Sequence, residues 1–133
     1  MRQIVARNEA TGGALAKAYG FTWGADLPEQ GAPLLINVTP MGMEGSASAD
    51  LAFPLDWIEA CDTAFDVVAL PADTPFIKAA QGLGKTIISG AEVIVLQAIE
   101  QFVLYTGVRP SPGQIRAAAT LAHGPAVADK LPG

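Results

Sequence analysis

Residues Thr86–Gly107 read TIISGAEVIVLQAIEQFVLYTG, a short β-branched run, then Ser89-Gly90, then the longest helical pattern in the chain. Ile87 and Ile88 end a buried strand in this reading, and Ser89 followed three positions later by Glu92 has the spacing of a capping box. A strand therefore turns sharply into a helix here. Val93, Ile94, Val95, Leu96, Ala98, Ile99, Phe102 and Val103 make that helix apolar around most of its circumference, so it is expected to be packed between other elements. Gln97 is the exception in its middle. At 3.6 residues per turn a spacing of seven returns almost to the same angle, so Gly90 and Gln97 share one stripe, roughly 10 Å apart along the axis.

Working outward, the same alternation of strand and helix recurs. Gln3 to Ala6 is a short strand; Asn8 caps a helix over Ala10 to Tyr19, and Gly20 ends it. Gly24, Pro28 and Gly31 break the next segment into a loop, with a short strand near Thr22-Trp23. Leu34 to Val38, apolar except for Asn37, suits a central parallel strand covered on both faces, and it runs into Thr39-Pro40-Met41-Gly42-Met43. Small residues and Pro54 make Glu44 to Leu55 a surface loop, and Asp56 to Cys61 a short helix. Phe65 to Leu70 is the next strand. Thr74-Pro75 then caps and opens a helix reaching Leu83, because Thr accepts from the first turn and Pro tolerates the first helical position. Lys85 to Ser89 is the strand leading into the long helix. Gly107, Pro110, Pro112 and Gly113 precede a last helix over Gln114 to His123, which Gly124-Pro125 stops, leaving a frayed tail. Alternating strands and helices with short connections define an α/β fold with a parallel sheet. In such sheets ligands bind beyond the carboxyl ends of the strands. Arg7-Asn8, Thr39 to Met43, Val67 to Leu70 and Ser89-Gly90 all fall there.

Composition narrows the function. The 133 residues, half hydrophobic and 16% charged, suffice for one domain with a real core or part of one. A formal net charge of −5 leaves no basic field for a nucleic-acid backbone or an anionic membrane surface. One cysteine and one histidine exclude an intrachain disulfide and a Cys/His zinc site built from this chain alone, and no metal is expected. Cys61 reads as a small buried hydrophobe and His123 as a solvated helix end. The N-terminal MRQIVARNEA lacks the apolar core of a secretory signal, so a cytoplasmic location is expected.

Taken in order, the motifs ARN (6–8), NVTPMGM (37–43), FDVVALPADTPF (65–76) and ISGAEVIVLQAIEQF (88–102) resemble the C-terminal, NADP-binding half of the shikimate dehydrogenase family, nearest to its shikimate dehydrogenase-like subgroup. The similarity runs from Gln3 to about Ala122. It implies a partial Rossmann-like NADP-binding domain over residues 1–133, with the C-terminal helices at about 90–123, in a cytoplasmic oxidoreductase of aromatic amino acid biosynthesis. By that resemblance Arg7, with Asn8 beside it, lies where the family holds the adenosine 2′-phosphate. The chemistry agrees: Arg offers a fork of donors to a phosphate, whereas an acidic residue would take the ribose hydroxyls of NAD, so NADP is favoured. Glu9 could instead pair with Arg7. Thr39 and Met41 would run under the cofactor and Val67 along the nicotinamide. The Gly90 backbone would approach its amide. Gln97 matches the glutamine that contacts the substrate hydroxyls. Asn37 and Thr39 could equally satisfy local backbone groups, Gly90 could serve a tight strand-to-helix turn, and Gln97 could be a core amide.

Two departures limit the expectation. Ala69 stands where many members carry a substrate-contacting Tyr. The chain also begins at the family's second strand, so the first strand and its glycine-rich pyrophosphate turn are absent; Gly12-Gly13 lies inside a helix and cannot replace that turn. No residue matches the family's catalytic Lys and Asp, so the chain contributes no catalytic residue and is expected to be inactive alone. In a whole enzyme, hydride would pass between nicotinamide C4 and C3 of shikimate or a related hydroxy-cyclohexene acid. The alternative is a degenerate or split Rossmann module acting in binding or assembly, and unpaired strand edges make a homo-oligomer an expectation.

Overall fold

The structure is a computed structural model that describes residues 2–129 and 131. The chain divides into two compact units, residues 1–31 and 32–133.

The first unit is a β-α-β motif. Strand β1 (Gln3–Val5) pairs in parallel with β2 (Thr22–Gly24), Ile4 opposite Trp23, and helix α1 (Glu9–Tyr19) connects them. Asn8 caps α1 by accepting from the Thr11 amide at 3.0 Å, and Gly20 closes it in the left-handed region with φ 67°. The Trp23 indole N–H donates to the Ala6 carbonyl at 3.1 Å, and the ring leaves space only for a glycine at position 12: a Cβ there would lie 2.7 Å from Nε1. Gly12 is thus explained by the approach of α1 to Trp23.

The second unit carries a three-stranded parallel sheet in the order β3 (Leu34–Asn37), β4 (Thr63–Asp66), β5 (Thr86–Ile88). Helix α2 (Leu55–Ala60) links β3 to β4, and α3 (Pro75–Gly82) links β4 to β5. The buried face holds Leu35, Asn37, Ala64 and Asp66, with Trp57, Ile58, Phe76, Ile77 and Ala80 from the helices completing the core. The opposite face is more open, and Leu34, Ile36 and Ile88 are exposed. This corrects the expectation for Leu34 to Val38. Among the described residues β3 lies at the end of its sheet and alternates exposed and buried, so only one of its faces is covered.

Phe65 to Leu70 also departs from expectation, because β4 starts at Thr63 and stops at Asp66. The Val67 amide still reaches the Asn37 carbonyl at 3.0 Å, but the next amide, Val68, turns back to the Asp66 carboxylate at 3.0 Å. A side chain has taken the donor that would have extended the ladder.

Helix α4 (Gly90–Thr106) has the expected capping box: the Ser89 amide and hydroxyl both donate to Glu92 Oε2, at 2.7 and 2.6 Å, and the Glu92 amide returns to Ser89 Oγ. Ser89→Ala should lower the unfolding free energy by about 1 kcal/mol in a denaturant melt. The expected burial of α4 is not met. Only Gly90, Ala91 and Val95 are buried, whereas Leu104 and Tyr105 are 78% and 82% exposed. Its first turns, and Ile99, pack toward α5 (Pro112–His123) and α6 (Pro125–Ala128), and most of the side chains beyond are exposed. Helix α6 corrects the frayed tail: Val127, Ala128 and Leu131 are buried against Ala91, Val95 and Ala119. No helix of the described residues is long and apolar enough to cross a membrane.

Candidate functional site

The carboxyl ends of β3 and β4 are tied by one buried network of side chains. Asn37 and Asp66 end their strands and stand opposite each other in the register. Asn37 Nδ2 donates to Asp66 Oδ1 at 3.0 Å and to the Met41 carbonyl at 3.2 Å. Its Oδ1 accepts from the Thr39 amide at 3.0 Å and the Thr39 hydroxyl at 2.7 Å, and the Met41 amide donates to Thr39 Oγ1 at 3.2 Å. On the other side Asp66 Oδ2 accepts from the Thr74 hydroxyl at 2.6 Å, and Thr74 Oγ1 in turn caps α3 by accepting from the Ile77 amide. Asn37, Asp66 and Thr74 are each at most 1% exposed, and no buried side-chain polar atom among the described residues lacks a partner. A buried carboxylate is tolerable only when so saturated with donors.

This network shapes a cleft of about 290 Å³ beyond the strand ends, walled by Val38, Thr39, Pro40 and Met43 from one loop and Val67, Val68 and Ala69 from the other. The second wall is held from behind by the start of α4. A Cβ at Gly90 would fall 2.5 Å from the Val67 carbonyl oxygen and closer still to that of Val68. Gly42, at φ 85°, performs the same service for the first loop: its Cβ would lie 2.9 Å from that of Thr74.

The sequence-derived residues divide as follows. Thr39 and Val67 meet in the cleft. The methionine that lines it is Met43; Met41 enters through its backbone, in the hydrogen bonds that fix the turn. Thr39 does satisfy local groups, through Asn37 and Met41. Gly90 supports the wall at Val67 and Val68 from beneath it. Gln97 is exposed, two turns farther along α4. Arg7 and Asn8 belong to the first unit. Arg7 is exposed just past β1 and is not paired with Glu9: the ion pair among the described residues is Arg109 with Glu100 at 2.9 Å. Asn8 is occupied as the α1 cap. Asp66 and Thr74 join the site through the structure: Asp66 ends β4 opposite Asn37, and Thr74, expected as a helix cap, also bonds the Asp66 carboxylate.

The remaining reactive groups lie elsewhere. Cys61 is buried and donates to the Ile58 carbonyl at 3.3 Å; burial pushes its thiol pKa up and Lys85 only partly offsets this, so it is a poor nucleophile at neutral pH. His123 ends α5 and lines an apolar groove of about 500 Å³ between α4 and α5. No cluster of His, Cys, Asp and Glu among the described residues could hold a metal ion.

Parallel strands flanked by helices, with a cleft at the strands' carboxyl ends, define a Rossmann-like α/β protein. The chain is 53% identical over 122 residues to a shikimate dehydrogenase-like protein of Haemophilus influenzae, a match spanning 91% of this chain and 45% of that one. Solved structures superpose on it as well. A shikimate 5-dehydrogenase-like protein matches with a TM-score of 0.85 and 50% identity over 96% of this chain and 46% of its own. Shikimate 5-dehydrogenase of Thermus thermophilus, solved with NADP(H) and shikimate, gives 0.73 and 28% over 90% and 45%. Quinate dehydrogenase of Corynebacterium glutamicum, solved with NAD, gives 0.70 and 27% over the same shares. No protein-family model matches. The chain belongs to the shikimate dehydrogenase family. It spans less than half the length of the curated relatives it matches.

Proposed function

We propose that residues 1–133 supply the dinucleotide-binding part of an NADP-dependent oxidoreductase acting on shikimate or a related hydroxy-cyclohexene carboxylate. The observation that carries this reading is the meeting of Thr39 and Val67, from separate loops, in one cleft beyond the β3 and β4 carboxyl ends. That cleft fits a nicotinamide: its walls are the apolar edges of Val38, Pro40, Met43, Val67 and Val68, with the Thr39 hydroxyl as a polar point. When bound, NADP supplies hydride chemistry at its nicotinamide ring. Thr39 and Val67 would flank that ring, Met41 would hold the turn beneath it, and Gly90 would keep Val67 in place. Arg7, exposed and with no carboxylate partner among the described residues, would take the adenosine 2′-phosphate, with Asn8 fixing the start of α1 beside it. Gln97 would reach substrate rather than cofactor.

The relatives solved with NADP(H) and with NAD leave the choice of cofactor to this chain's own residues, and Arg7 is what favours NADP. Arg7→Ala should weaken NADPH binding about tenfold and leave NADH binding within twofold, because only the phosphate meets the guanidinium. Calorimetric titration of wild type and variant with both nucleotides tests this. Equal losses for NADPH and NADH would remove Arg7 from the phosphate site.

A further inference from the structure

The cleft's two walls share one buried carboxylate. Asp66 Oδ1 is bonded to Asn37, and through Asn37 to Thr39 and Met41 on the first wall; the same oxygen holds the Val68 amide on the second. Asp66 Oδ2 receives the Thr74 hydroxyl from the first turn of α3. Every side-chain route between the two loops through this cluster passes Asp66, beside the backbone bond from the Val67 amide to the Asn37 carbonyl, and Gly90 packs directly behind the second wall. Rotating the carboxylate would break contacts on both loops together. We propose that Asp66 is a positioning residue that makes the 37–43 and 66–69 loops one rigid wall, with Thr74 setting its orientation from α3, and that this rigidity determines affinity for the nicotinamide end of the ligand. The second half of this statement rests on the cofactor reading above; the first half stands without it.

Thr74→Val keeps the side-chain shape and removes the hydroxyl, so Asp66 Oδ2 loses its donor. Thr74 touches neither Thr39 nor Met41 through the hydrogen bonds described, yet their amides should respond. In the 133-residue chain, amide hydrogen exchange at Thr39 and Met41 is expected to accelerate about tenfold in Thr74→Val and to recover in Thr74→Ser. Ile77→Val loosens the same helix by loss of a buried methyl group but leaves the Thr74 hydroxyl bonded to Asp66. It should not accelerate exchange at those two amides. On the ligand side, Thr74→Val should weaken NADPH about tenfold and leave 2′,5′-ADP, which lacks the nicotinamide, unchanged. Unaltered exchange at Thr39 and Met41, or an equal acceleration in Ile77→Val, overturns the coupling. Equal weakening of both ligands overturns the link to the nicotinamide end. If wild type binds no NADPH while the exchange pattern holds, the coupling stands and the cofactor reading falls.

Discussion

Asp66→Ala should remove about 3 kcal/mol of stability, a large share of the roughly 5–15 kcal/mol that holds a domain of this size. The carboxylate is fully buried and accepts from the Asn37 amide, the Val68 amide and the Thr74 hydroxyl. Truncation strands those donors away from water, at about 1–3 kcal/mol each, against which stands the relief of no longer burying a charge. Asp66→Asn should lose less. Its amide oxygen can keep the Asn37 and Val68 donors, and its NH2 can donate to Thr74 Oγ1. Asp50→Ala, in an exposed loop, should stay within about 0.5 kcal/mol. Urea melts of the three variants give the comparison, and equal midpoints for Asp66→Ala and Asp50→Ala would show that the buried network carries no stability. Asn37→Ala combined with Asp66→Ala should cost less than the sum of the two, since Asn37→Ala removes a donor that Asp66→Ala has already orphaned.

That network marks where the sequence stopped being readable. The order of strands and helices was legible because three helix starts carry their own local chemistry: Asn8, Thr74 and Ser89 all cap as their spacing indicates. Strand length was not. Val67 to Leu70 has the β-branched character of a continuing strand, and only the three-dimensional position of the Asp66 carboxylate ends it. The coupling of Asn37, Asp66 and Thr74 depends on a register that places residues 29 apart side by side. Periodicity carries no such information.

Helix α4 failed differently. Its composition signals burial, and composition is a statement about what a segment is compatible with, not about which neighbours are present. Ile94, Leu96 and Phe102 are each more than 40% exposed among the described residues of a chain that spans less than half of its curated relatives. Gln97 was therefore read as an oddity in a core when it stands on an open flank of the helix. Exposure leaves Gln97 reachable, as the substrate contact proposed for it requires.

Gly90→Ala and Gly13→Ala should move stability in opposite directions. Both glycines lie in helices, where alanine is normally favoured by about 0.5–1 kcal/mol through lower backbone entropy in the unfolded chain. A methyl group added at Gly13 would meet nothing within 4 Å, so Gly13→Ala should gain about that amount. At Gly90 the new carbon meets two backbone carbonyls and the carbonyl carbon of Val68. Backbone atoms cannot rotate aside as a side chain can, so either α4 or the Val67–Val68 segment must shift, at about 2 kcal/mol net. Gly90 does not adopt positive φ. Its requirement is therefore proximity and not conformational freedom, which separates it from Gly42, where both apply. Because the crowded Val67–Val68 segment is the second wall of the cleft, Gly90→Ala should also weaken NADPH binding, while Gly13→Ala raises the melting temperature and leaves the cleft as it is. A stabilising Gly90→Ala would mean that α4 does not press on Val67 and Val68, and the support assigned to this glycine would go with it.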